Sequence, residues 1–94
     1  MKEEAQLKIN GEKGFFHIDV DGKQQAMMTF LFAGNDKIII DHTEVNTESN
    51  GKGFGKKMAL KAIAFAREKN IKIIPLCPFV KSVFDKNPEY SDVL

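Results

Sequence analysis

At 94 residues, with 14 lysines and arginines against 13 aspartates and glutamates, the chain has room for one hydrophobic core and carries a net charge near +1. Balanced charge gives no global attraction to nucleic acid or to an anionic membrane surface, so any preference for anions has to be local. A single cysteine excludes an intramolecular disulfide, the first six residues hold no apolar core of signal-peptide length, and no later run is long enough to cross a bilayer; a cytoplasmic protein of one domain, residues 1–94, is expected.

Leu7 and Ile9 alternate with polar neighbours and run into Asn10-Gly11, a signal for a tight hairpin. Phe16, Ile18 and Val20 repeat the alternation before Asp21-Gly22, a second hairpin signal. Gln24 to Phe32 supplies a third strand, with Ala26, Met28, Phe30 and Phe32 on one face and Met27, Thr29 and Leu31 on the other. Apolar residues on both faces suggest that it is covered on both sides. After Gly34-Asn35-Asp36-Lys37, the run Ile38-Ile39-Ile40 continues through Val45 as a fourth strand. Four strands joined by short turns make an antiparallel meander.

The period then changes. Met58, Ala59, Ala62, Ile63 and Ala66 form a helical stripe opposite Lys57, Lys61 and Glu68, so a long helix is predicted from about Gly53 to Lys69, with Asn70 able to end it. Lys72 to Cys77 reads as a fifth strand, parallel to its neighbour because a helical crossover precedes it. Pro75 has no N–H to give a ladder, so this strand either lies at an edge or splays from its neighbour at that point. Pro78 sets a new helix start, and Phe79, Val80, Val83 and Phe84 make a short amphipathic segment ending near Asn87-Pro88. The fold class is therefore α+β: a four-stranded antiparallel meander, a long helix, a parallel fifth strand splayed from the fourth, and a short C-terminal helix.

Between the fourth strand and the long helix lies Asn50-Gly51-Lys52-Gly53-Phe54-Gly55-Lys56-Lys57. Glycines at alternate positions allow positive φ, and the helix start adds unpaired N–H groups with partial positive charge, which together suit an anion. Lysines at a helix N-terminus oppose the dipole, and a bound phosphate would reconcile them with it. The phosphate-loop pattern fails, since Asn50 stands five before Gly55 and Lys57 stands where a serine or threonine is needed; the dinucleotide pattern G-x-G-x-x-G fails at Lys56 and at Met58.

What remains, Asn50-x-x-Gly53-x-Gly55 at a strand exit and helix start, resembles the [QR]-x-x-G-x-[GA] signature of the GNAT superfamily of acyl-CoA-dependent N-acetyltransferases. Three further phrases, His42-Thr43-Glu44-Val45, Pro75-Leu76-Cys77-Pro78-Phe79-Val80 and Asn87-Pro88-Glu89-Tyr90, look like the minimal, single-domain subgroup of that superfamily, and the resemblance covers essentially the whole chain. It implies an acetyl-CoA cosubstrate whose pyrophosphate is held by loop amides from Asn50 and Gly51 through Lys52, Gly53, Phe54 and Gly55 to Lys56. The pantetheine arm would lie in the wedge between the fourth and fifth strands, against backbone of Val45, Asn46 and Thr47. Cys77 would then stand near the thioester.

Three departures accompany the resemblance. Asn50 replaces the usual glutamine or arginine, and Val83-Phe84 stand where the superfamily often has a tyrosine acid. The hairpin turns also leave no room for the two helices that form much of the acceptor site in larger members. An open acceptor site follows, facing an unidentified amine, a peptide, a protein or a partner subunit.

His42 and Glu44, two apart on one strand, share a face and are the candidate general bases; their plainer role is a solvated strand end. Cys77 is a candidate nucleophile, or else a buried small apolar residue. His17 reads as a surface residue, Tyr90 as the residue that docks the tail, and Lys57 and Lys61 as a solvated face. Two histidines and one cysteine without ligand spacing predict no metal, and basic residues without interleaved aromatics predict no nucleic acid. The activity expected is N-acetyl transfer by direct attack or through Cys77; the alternative is a non-catalytic acyl-CoA-binding or adaptor module.

Overall fold

The computed structural model describes residues 4–49 and 51–94; Asn50 lies outside the described residues. Strands β1 (Gln6–Asn10), β2 (Lys13–Val20), β3 (Lys23–Ala33) and β4 (Lys37–Val45) form an antiparallel meander. A 3-10 turn (Thr47–Ser49) and the glycine loop lead into α1 (Phe54–Lys69), which crosses over to β5 (Lys72–Pro75), parallel to β4. Helix α2 (Pro78–Lys86) and a 3-10 segment (Pro88–Val93) close the chain. The sheet order is β1-β2-β3-β4-β5, so the α+β architecture is the one expected, with β5 as an edge strand that tolerates Pro75.

Local chemistry places the boundaries. Asp21 and Gly22 both take positive φ (53° and 80°), the backbone that a two-residue hairpin matched to sheet twist requires. The first hairpin sits one residue later than its sequence signal, because Asn10 pairs with Lys13 and the loop is Gly11-Glu12. Asn70 ends α1 in the left-handed conformation, its N–H bonding the carbonyls of Ala66 and Arg67. Pro78 opens α2, where its missing N–H costs nothing.

Alternation decides the core. Phe16, Ile18, Met28, Phe30, Ile38 and Ile40 are buried on one face of the sheet against Met58, Ala59, Ala62, Ile63 and Ala66 of α1. The small alanines let the helix lie close, and Phe65 enters an aromatic cluster with Phe16 and Phe30 at centroid distances of 6.2 and 6.1 Å. Gly14 has no side chain because the Phe30 ring occupies that space; an added Cβ would sit 2.4 Å from it.

The expectation that β3 is covered on both sides is corrected. Among the described residues both helices pack on the same face, and Met27, Thr29 and Leu31 are only partly shielded by their neighbours in the sheet. Their apolar character marks an open face, not a second layer. His17, expected at the surface, is also corrected: it lies on that open face yet is only 4% exposed. Being central in the sheet, beside the Phe15 ring at 5.4 Å, buries it, while Asp19 bonds its Nδ1 at 2.9 Å.

Candidate functional site

The β4–β5 ladder stops early. Ile40 opposite Pro75 is the last pair, and the Ile40 carbonyl accepts from the backbone N–H groups of both Leu76 and Cys77 at 3.0 Å. Two donors converge on one carbonyl because the chain after Pro75 turns away from β4. The fifth strand is correspondingly shorter than the expected Lys72–Cys77. Beyond the apex, Thr43 to Val45 pair with β3 alone, leaving their other edge open to a guest that can form a ladder. A bulge accompanies the opening: Thr29 faces His42 and Phe30 faces Ile40, so Asp41 is the extra residue.

Cys77 sits at this apex. It is 5% exposed, and its thiol donates to the Thr43 hydroxyl at 3.3 Å. His42 and Glu44 do share a face, with Nε2 and Oε1 3.3 Å apart, an ion pair whenever the ring is protonated. That face is the open one, since Thr43 pairs with Met28 of the core face and Glu44 with Met27. The two candidate bases and Cys77 therefore approach the wedge from opposite sides of β4.

The glycine loop lines a hollow of 580 Å³ with Thr43, Val45, Ser49, Gly51, Gly53, Phe54, Gly55, Lys56 and Phe79. Gly51 and Gly53 take φ of 85° and 75°, and a Cβ on either would meet nothing; they are needed for conformation. Gly55 is needed for space, because the Phe79 ring lies 2.7 Å from where its Cβ would be. Gly53 caps α1 without a side-chain hydrogen bond, and the first turn holds no acidic residue. The first amides of α1 thus present their partial positive charge to the hollow, as an anion site requires.

Of the expected cofactor residues, Val45, Gly51, Gly53, Phe54, Gly55 and Lys56 line this hollow. The Phe54 side chain is in the core, 1% exposed, so only its backbone can serve a ligand. Asn46, Thr47 and Lys52 flank the hollow without lining it, and the Asn46 side chain is turned to Gln25 Oε1 at 3.2 Å. Lys57, expected on a solvated face, lies over the Phe54 ring at 5.5 Å.

Gln25, Ser49 and Phe79 are functional candidates that the sequence reading missed. Gln25 is the extra residue of a bulge between β2 and β3, is 7% exposed, and accepts through Oε1 from Ser49 Oγ at 2.9 Å and from Asn46 Nδ2. Its carbonyl also accepts from the Asn46 N–H at 2.8 Å. One buried side chain so fastens the approach to the glycine loop to β3. A glutamine in a strand, 24 residues upstream of its serine partner, carries no local signal of that role.

A family model described as GCN5-related N-acetyl-transferase matches residues 15–93. The chain belongs to this family. A GCN5-like protein of Staphylococcus aureus, assigned as an N-acetyltransferase and solved in solution by NMR, is 38% identical with a TM-score of 0.72, over 99% of this chain and 89% of its own. A ribosomal-protein-alanine N-acetyltransferase from Brucella melitensis shares the fold at TM-score 0.70 and 18% identity, over 83% of this chain and 62% of its own. Nourseothricin acetyltransferase matches at TM-score 0.50 and 25% identity, over 65% of this chain and 36% of its own. No curated protein matches the chain. Enzymes of the family use acetyl-CoA. Among the described residues no group of three or more His, Cys, Asp or Glu could hold a metal ion, and no helix is long and apolar enough to cross a membrane.

Proposed function

We propose that this protein binds acetyl-CoA in the β4–β5 wedge and transfers its acetyl group to an amine. The observation that carries the reading is the opening of the ladder after Ile40 and Pro75, next to a hollow lined by loop glycines and the uncapped start of α1. The pyrophosphate is met by the amides around Gly53 to Lys56, with Lys56 and Lys52 supplying charge. The pantetheine amides extend along the free edge of Thr43 to Val45, and the exposed Phe79 ring gives the arm an apolar wall.

Transfer from an ammonium removes two protons from nitrogen, one before attack to free the lone pair and one after it, of which one ends on the departing sulfur and the other in solvent. The amine nitrogen attacks the thioester carbonyl carbon, an N–C bond forms as the C–S bond breaks, and the amine gives up a proton to Glu44 or His42, directly or through water. The departing thiolate takes a proton and leaves as free CoA. Cys77 offers a second route: its sulfur takes the acetyl group from the thioester, releasing CoA, and the amine then takes it from Cys77. Its placement beside Thr43 at the apex supports that variant.

Titration of the 15N-labelled protein with acetyl-CoA should shift the amides of Gly51 to Lys56 and Thr43 to Val45. Release of free thiol with an amine panel should follow. Shifts without turnover of any amine would leave a binding module; no shifts in those segments would defeat the cofactor reading. Mass spectrometry after incubation should find acetyl on Cys77 if the two-step route runs, and an unmodified Cys77 with an active Cys77→Ser protein would eliminate it.

A further inference from the structure

A second hollow, of 460 Å³, lies on the open face of the sheet, lined by Asn10, Lys13, Phe15, Thr29, Leu31 and Asp41 together with backbone of Gly14 and Phe30. We propose that it receives the acceptor, and that the acceptor is a short zwitterionic peptide, or an amine of the same span and charge, with its ammonium group at Asp41 and its carboxylate at Lys13. The proposal rests on the acetyl-transfer reading above and assigns its acceptor.

Position is the first argument. Asp41 follows Ile40, the last residue paired with β5, so it stands where the wedge opens. The bulge turns it onto the open face, where the Thr29 hydroxyl donates to its Oδ1 at 2.7 Å. A carboxylate holding one such bond keeps acceptor capacity for a cation. The loop-side hollow and this one therefore flank β4 on opposite faces, with Asp41 next to the apex and His42 and Glu44 following it on the strand. An ammonium docked at Asp41 is within the neighbourhood of the two groups proposed to take its proton.

Charge and span are the second argument. Neither Lys13 nor Asp41 forms an ion pair with any described residue, so each is available to a ligand. Lys13 pairs with Leu31, which pairs with Ile39, two residues before Asp41. Two strand spacings and two residues put their Cα atoms about 11 Å apart. Side chains reaching inward reduce that gap, and an extended dipeptide or tripeptide spans roughly 7–10 Å. Phe15 and Leu31, between the two charges, give an apolar floor for a small side chain, and the volume is in the range of small-molecule sites.

Trialanine is the probe, and the 15N spectrum of the full chain the readout. Saturable shifts are expected at Gly14, Phe15, Thr29 and Leu31. N-acetyl-trialanine and the Asp41→Asn protein should bind about tenfold more weakly, and trialanine amide and the Lys13→Glu protein about as much weaker. The blocked peptides test both charges on the unaltered protein, so a variant that fails to fold does not decide the matter. Equal binding of trialanine and its C-terminal amide would overturn the zwitterionic acceptor and leave the N-terminus of a longer polypeptide. No shift at those residues, while acetyl-CoA still shifts Gly51 to Lys56, would overturn the acceptor site and leave the cofactor reading standing. Peptide shifts with no response to acetyl-CoA would overturn the acceptor role itself.

Discussion

Replacing Gln25 with leucine should loosen the glycine loop from the sheet. The Gln25 amide oxygen is the acceptor for Ser49 Oγ at 2.9 Å and Asn46 Nδ2 at 3.2 Å, and Ser49 is only 3% exposed. Leucine fills similar space but accepts nothing, so the serine hydroxyl is stranded away from water at a cost of about 1–3 kcal/mol. In a domain of this size 1 kcal/mol moves the melting temperature by about 4–8 °C, which puts the expected loss near 10 °C. The Asn46 N–H to Gln25 carbonyl bond at 2.8 Å survives, so β3 and β4 stay paired and the damage is confined to the turn before Gly51. Gln25→Glu keeps an acceptor oxygen at the same reach and should recover part of the loss. Thermal unfolding measures the stability change, and calorimetric titration with acetyl-CoA should show binding weakened several-fold in the leucine variant. A leucine variant that melts with the wild type and binds acetyl-CoA equally well would refute the clamp.

Two glycines make a contrast. Gly14→Ala drives a Cβ to 2.4 Å from the Phe30 ring, which at 1% exposure cannot give way, so a loss of about 1–3 kcal/mol is expected in chemical denaturation. Gly55→Ala meets Phe79 at 2.7 Å, but that ring is 40% exposed and can swing aside, and alanine in a helix gains about 1 kcal/mol. Its melting temperature should hold or rise while acetyl-CoA binding weakens, because the displaced ring changes the hollow; lost stability would show that Phe79 is fixed. The C-terminal segment should respond to acid. Arg67 donates to Asp92 at 3.0 Å from Nε and at 2.8 Å from Nη2, and these hydrogen bonds, with the charge of Arg67, hold the Asp92 carboxyl below its usual value. The pair's contribution is present above about pH 4 and is lost as pH falls through the depressed folded value. The protection factors of the Tyr90 and Asp92 amides, which are corrected for the intrinsic pH dependence of exchange, should therefore fall at low pH in the wild type and be lower, with less pH dependence, in Asp92→Asn. An identical acid response in both proteins would remove Asp92 as the cause.

Much of this molecule was legible in one dimension. Alternation in β1 to β4, the stripe Met58 to Ala66, and the punctuation by Asp21-Gly22, Asn70 and Pro78 are local features, and local features specify elements. They also specified the direction of β5, because a helical crossover leaves a parallel strand little choice. The glycine loop and its neighbouring phrases carry the resemblance to the family within the sequence alone. Pairings between distant segments were not legible in this way. Thr29 and Leu31 look alike whether a second layer covers them or a hollow does, since alternation reports polarity and not what stands opposite. His17 became buried through neighbours on other strands. Gln25 acquired its partners only when a bulge turned it toward Ser49.

The sequence by itself determined the order of elements, the α+β class and the glycine-lined helix start, because each follows from backbone chemistry within a few residues. Tertiary structure alone decided where the β4–β5 ladder opens, that Gly55 yields to Phe79, and that Asp41 and Cys77 meet the wedge from opposite faces of one strand. Those are consequences of register, which depends on the packing of every strand at once and is written in no single stretch of the chain.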